Sequence, residues 1–300
     1  MPAYHLSEPA RAALSSRPLP ADLAPDDWPD QAPDDAARDL APARAEALRL
    51  LDGEPGWLVV HTGLAALDDH RLMTAAWNLF TALCEPVPQY RTGELVFPVE
   101  VTDAPTEASS HYSRSNATGG FHTDGTLLDL TPQVAALIGL SSADSGGETV
   151  LVDGFGLADH LAAEAPDHLA LLEQAHPFHS GDQGEDPVME HRIVDLTGER
   201  LRLHYLRRYI DRGYEHTGRT RPDGLSAALD AWDALVADPA RQNGILLERG
   251  DILLWNNARF IHGRTPFEER TRRRRLRRAY GVHRPSGPSL PSGADRQGGR

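Results

Sequence analysis

Apolar and polar positions along this chain fall into many short runs rather than long amphipathic stripes. Residues 94–101, 133–140, 149–152, 191–194, 201–205, 245–247, 251–255 and 276–283 are brief segments bounded by Gly, Pro, Asp or Asn, as β-strands are. The apolar run 57–60 is a further short segment. Helical spacing appears at 43–51, 68–83, 157–174 and 225–236. Trp77, Phe80 and Leu83 recur at that spacing and are assigned to the core. Many short strands with helices around them predict a mainly β protein with peripheral α, a double-stranded β-helix or jelly roll carrying a helical insertion.

Three segments follow from the same pattern. Residues 1–40 are acidic and Pro/Ala-rich, which predicts a mobile or surface-wrapped segment rather than core. Residues 41–284 read as one domain with its insertion at about 154–243. Residues 285–300 are polar and turn-forming, and a disordered tail is expected there.

Composition narrows the function. Forty-four acids against thirty bases give a net charge of −14, which repels a phosphate backbone and argues against nucleic acid as a partner. Every base is Arg, so Schiff-base chemistry and a Lys-bearing phosphate loop are excluded. Cys84 is the single cysteine, which rules out an intrachain disulfide and any thiolate metal cage built from this chain alone. No stretch approaches the ~18–20 apolar residues of a membrane helix. The first residues lack the basic start and apolar centre of a signal peptide, so a cytoplasmic location is expected.

Two stretches carry candidate chemistry. In Gly119-Gly120-Phe121-His122-Thr123-Asp124-Gly125, residues two apart on a strand face the same way, so His122 and Asp124 can reach one metal ion; the bland alternative is a surface His beside a turn Asp. The stretch from Gly250-Asp251 to His262-Gly263-Arg264-Thr265-Pro266 ends an apolar strand and an Asn-Asn turn in a second His. Two His and one carboxylate are the facial set of mononuclear non-haem Fe(II). From Arg270 to Arg278 seven of nine residues are Arg, either a solvated basic edge or, on alternate positions, a carboxylate clamp. The Ser/Asn stretch before Gly119, with Asn116 and Thr118, is either a solvated loop or a substrate contact. His176-Pro-Phe-His179 reads as a surface loop rather than a ligand pair. For His191, His204 and His216, position alone leaves open whether they line a pocket.

The order His122-x-Asp124, Gly146-Gly147-Glu148-Thr149, Gly250-Asp251 through His262-Gly263-Arg264-Thr265-Pro266-Phe267, then Arg274-Arg275-Leu276-Arg277-Arg278-Ala279-Tyr280, resembles the Fe(II)/2-oxoglutarate dioxygenases of the taurine dioxygenase and clavaminate synthase-like group. The resemblance spans about residues 90–283. It implies that His122, Asp124 and His262 ligate Fe(II), and that Thr149 and Arg274 bind the distal carboxylate of 2-oxoglutarate. It also implies that Arg278 meets an anionic group of the substrate. A shifted register would bring in Arg273, Arg275 or Arg277 instead. The implied reaction uses O2 and 2-oxoglutarate to oxidise, most simply to hydroxylate, an unactivated C–H bond of a small anionic or zwitterionic substrate such as an amino acid or its derivative. Composition suggests a high-GC bacterium, and family habit a biosynthetic role in secondary metabolism. The rival readings are a metal-dependent hydrolase and a non-enzymatic binding protein docking through Arg270 to Arg278.

Overall fold

Along residues 57–60 the side chains alternate between two cores: Trp57 and Val59 pack into one, Leu58 and Val60 into another. That two-residue period marks a strand buried on both faces. The computed structural model describes residues 2–15, 40–89, 93–101, 119–128, 130–181, 187–197 and 202–283.

In chain order these form β1 (Ala3–His5), α1 (Glu8–Ser15), α2 (Ala41–Asp52), β2 (Trp57–His61), α3 (Asp69–Leu83), β3 (Cys84–Val87), β4 (Val96–Val99), β5 (Gly119–His122) and β6 (Val134–Ser141). Next come β7 (Ser145–Gly146), β8 (Thr149–Asp153), α4 (Gly154–Glu164), α5 (Pro166–Leu172), β9 (Ala175–Phe178), β10 (Met189–Arg192), β11 (Val194–Asp195) and β12 (Arg202–Leu203). Then follow α6 (Arg207–Thr217), α7 (Leu225–Ala237), β13 (Gln242–Ile245), β14 (Asp251–Asn256), β15 (Phe260–Arg264), β16 (Phe267–Glu268) and β17 (Arg275–His283).

Two sheets organise the molecule. The larger runs β1-β2-β14-β6-β17-β3, with β4 also on β17; the smaller runs β13-β8-β15-β5. Between them lies a core of Trp57, Leu137, Leu151, Leu253, Trp255, Phe260, Leu276 and Tyr280. The outer face of the large sheet, including Leu58, Ile138, Leu254 and Ala279, packs on α1, α2 and α3. Val152 and Ile261, on the other face of the small sheet, pack beneath the helices of 154–243. Helices therefore cover both outer faces, and the space between the sheets is left for polar groups admitted from β5, β8, β15 and β17. No helix among the described residues is long and apolar enough to cross a membrane.

Several expectations are corrected. Residues 2–15 are not a mobile wrapping: β1 pairs in parallel with β2, and Leu6, Ala10 and Leu14 are buried in the core. Acidic composition belongs to 16–39, which lie outside the described residues, as do 285–300. The helix expected over 157–174 breaks at Pro166, whose ring cannot continue the preceding turn, and becomes α4 and α5. The strand expected at 191–194 is divided between β10 and β11, and the one at 245–247 sits earlier, as β13. Residues 176–178 are strand rather than loop, paired through β10. Helix α6 was not anticipated. Its sequence is polar, yet Ile210, Gly213 and Tyr214 form a buried stripe. At Gly213 a Cβ would stand 2.0 Å from the carbonyl oxygen of Pro177, so only glycine lets α6 lie against β9.

Candidate metal centre

Phe260 points into the inter-sheet core, so His262, two residues on, projects the same way from β15. His122 ends the edge strand β5 directly opposite it, and their ring centroids are 4.2 Å apart. Asp124 lies just past β5 and is buried. Its Oδ2 is 3.4 Å from His262 Nε2, and its Oδ1 is 3.6 Å from His122 Nε2. Among the described residues His122, Asp124 and His262 are the group of three that could hold a metal, with donor atoms all within 4.8 Å of one another.

The surroundings prepare these donors. His122 Nδ1 is 2.8 Å from the carbonyl oxygen of Gly120; that oxygen only accepts, so Nδ1 carries the proton and Nε2 offers its lone pair. Burial pushes His262 down to about 3 against the pull of Asp124, with repulsion from His122 and Arg278 adding to the lowering, so its imidazole is neutral. Burial alone would raise Asp124, but His262, Arg278 and His122 together hold its carboxyl well below the usual carboxylate range. Asp124 Oδ2 is buried with no hydrogen-bond partner. His122 Nε2, the His262 imidazole and a carboxylate with one unsatisfied oxygen fit a divalent transition metal.

Asn257 was read only as part of a polar turn, yet it is fully buried and fastens Asp124. Its Oδ1 accepts from the Asp124 backbone N–H at 2.9 Å, and its Nδ2 donates to the carbonyls of Asp124 and Pro132, each at 3.0 Å. A buried amide satisfied on every side after a strand was the available signal.

Thr149 and Arg274 line one cavity, together with Ser142, Gly147, Leu247 and Leu276. Arg274 Nε donates to the Gly147 carbonyl at 3.0 Å, and its backbone N–H donates to Glu269 at 2.7 Å. A Cβ on Gly147 would lie 2.9 Å from Arg274 Cδ, and its φ is +77°, so glycine makes room for the guanidinium. Arg278 sits on the inner face between Leu276 and Tyr280. Its Nε donates to Gln89 at 2.8 Å and its Nη1 is 3.3 Å from Asp124 Oδ1. The candidate substrate contacts Asn116 and Thr118 lie outside the described residues.

The remaining arginines of that run are dispersed. Arg270 pairs with Glu268, Arg272 with Asp144, Arg275 with Asp69 and Glu100, and Arg277 with Glu100. A single basic docking face is therefore not formed. Three histidines outside the triad are satisfied locally: His176 by Tyr214 and the Leu171 carbonyl, His191 by the Thr126 carbonyl, and His204 by the Arg192 carbonyl.

Residues 15–280 match the family described as taurine catabolism dioxygenase TauD, TfdA. The chain belongs to the TauD/TfdA family. Trimethyllysine dioxygenase of Meyerozyma guilliermondii is 30% identical over 168 residues, 53% of this chain and 41% of its own length. The chain thus spans about two fifths of that relative. Uridine-5′-phosphate dioxygenase of Amycolatopsis is 28% identical over 238 residues, 74% of this chain and 82% of its own. Among solved structures, asparagine oxygenase in complex with Fe(II), hydroxyasparagine and succinate aligns at a TM-score of 0.67, 15% identity and coverage of 94% and 93% of the two chains. The non-heme iron oxygenase OrfP with Fe and alpha-ketoglutaric acid aligns at 0.65, 17% identity and 94% of each. At those identities the likeness is one of fold, a mixed sheet-and-helix architecture.

Proposed function

We propose that this chain is an Fe(II)- and 2-oxoglutarate-dependent oxygenase that hydroxylates a C–H bond of a small anionic or zwitterionic substrate, an amino acid or a derivative of one. The observation that carries the reading is the convergence of His122, Asp124 and His262 within 4.8 Å, beside a cavity lined by Thr149 and buried Arg274. The two facing sheets are read as a double-stranded β-helix, with 41–284 as one domain and 154–243 as its insertion.

His122, Asp124 and His262 would hold the metal. When bound, Fe(II) with 2-oxoglutarate and O2 supplies the oxidising power, as the cosubstrate is converted to succinate and CO2. Thr149 and Arg274 would bind and orient the distal carboxylate. Burial between two sheets excludes water from that contact. Arg278, a cation on the inner face beside Asp124, is assigned to the anionic group of the substrate. Among the names of the relatives and structural neighbours, trimethyllysine, asparagine and hydroxy-L-Arg are amino acids, and uridine-5′-phosphate is an anionic nucleotide. A cytoplasmic enzyme of bacterial secondary metabolism completes the reading. A metal-dependent hydrolase leaves buried Thr149 and Arg274 without a role.

The test is oxygen consumption and succinate release with Fe(II), 2-oxoglutarate and a panel of free and carrier-bound amino acids. Anaerobic Fe(II) plus 2-oxoglutarate should give a weak visible charge-transfer band, lost in His262→Ala. Arg274→Ala should weaken 2-oxoglutarate by roughly a hundredfold, at ~1.4 kcal/mol per tenfold, while metal binding survives. Persistence of band and turnover in His262→Ala overturns the assignment. Efficient oxidation of a neutral substrate analogue removes Arg278 from its role.

A further inference from the structure

Arg264 closes β15 two residues after His262 and faces the same inter-sheet space. Its cross-strand partner in β8 is Thr149. Side chains directly opposite on one face stand ~4.5–5.5 Å apart at Cβ, so Arg264 is built beside the hydroxyl of the cosubstrate cavity. It also shares an aromatic support with Arg274: the guanidinium carbons lie 4.9 Å and 5.5 Å from the centroid of the Phe267 ring. Both side chains are buried, at 8% and 4% exposure.

Two buried guanidiniums near one ring repel. Glu269 is the acid that offsets both, and its Oε1 already accepts the Arg274 backbone N–H. Two cations buried against one ring, one of them cross-strand from Thr149, are unfavourable for the bare fold and favourable once an anion arrives.

We propose that Arg264 is a second cation for the distal carboxylate of the 2-oxo acid, which is then held by Arg264, Arg274 and the Thr149 hydroxyl together. Arg264 thereby selects a 2-oxo diacid over a 2-oxo monoacid. The inference rests on the reading of 2-oxoglutarate as cosubstrate.

The experiment is anaerobic titration calorimetry of the Fe(II)-loaded full chain with 2-oxoglutarate and with 2-oxopentanoate, which has the same chain length and no distal carboxylate. Arg264→Met should weaken 2-oxoglutarate at least tenfold and leave 2-oxopentanoate within twofold. Without ligand, the variant should melt no earlier than the unsubstituted protein, because a buried like-charge contact is gone. If Arg264→Met does melt earlier, Arg264→Lys decides: retained preference for the diacid supports the proposal, and equal loss of both acids overturns it. Arg264→Met binding 2-oxoglutarate within twofold of the unsubstituted protein, while Arg274→Gln loses it, overturns this proposal alone. Absence of 2-oxoglutarate binding in the unsubstituted protein overturns the cosubstrate reading and this inference with it.

Discussion

Tyr280 donates its hydroxyl to Oδ1 of Asp124, 156 positions earlier in the chain, and Arg278 brings Nη1 to 3.3 Å of the same oxygen. Alternate positions on one face of β17 thus supply two groups to one carboxylate oxygen. The other, Oδ2, has no hydrogen bond and is 3.4 Å from His262 Nε2. A carboxylate fixed in this way offers a metal one oxygen rather than two.

Tyr280→Phe removes the hydroxyl and keeps the ring in the core. Partners of metal ligands are typically worth about 10–100-fold in metal affinity. Anaerobic Fe(II) or Co(II) titration should therefore show at least about tenfold weaker binding, with little change in the melting curve. An unchanged metal affinity would mean that Arg278 alone fixes Asp124.

Asn257→Ala strips three hydrogen bonds from the segment that carries Asp124 and leaves two buried carbonyls and one N–H unsatisfied. At about 1–3 kcal/mol for each buried group left without a partner, urea unfolding should show a loss on the order of 3 kcal/mol. Metal affinity should fall as well, because the Asp124 backbone is no longer pinned. A variant of native stability and native metal affinity would show that the Asn-Asn turn holds without its side chain.

His204 stacks on His191 at 4.2 Å beneath the insertion, and burial together with His191 pushes it down to about 4. Its pKa in the unfolded chain is ~6.5. Between those values the unfolded chain takes up a proton that the folded one refuses, so stability is complete above pH ~6.5 and declines as pH falls toward 4. The limiting loss is about 3 kcal/mol. Unfolding free energies from pH 7 to 4.5 should fall less steeply in His204→Phe, which keeps the stack. Parallel profiles for the two proteins would remove His204 from the acid response.

Legibility in the sequence followed the periodicities. Strands 57–60, 133–140, 149–152 and 251–255 were readable because each is apolar, short and punctuated, and each is found within two residues of its expected bounds. Where composition spoke against pattern, composition misled. Leu6, Ala10 and Leu14 sit at helical spacing inside an acidic, Pro-rich stretch, and they are core. Helix α6 was hidden for the opposite reason: its face is polar except for the stripe that meets β9, and that stripe contains a glycine.

The sequence by itself put His122 and Asp124 two positions apart, able to face one way from a strand, and His262 after a second strand. The family resemblance added Thr149 and an arginine after Phe267 as candidates to accompany them. The tertiary structure alone distinguished Arg274, buried against the Gly147 carbonyl, from Arg275 and Arg277, which pair with Glu100. It alone decided that Asn257 and Tyr280 hold Asp124 and that Arg264 stands opposite Thr149. Those contacts join residues more than a hundred positions apart, and they depend on strand order and register, which local alternation does not encode.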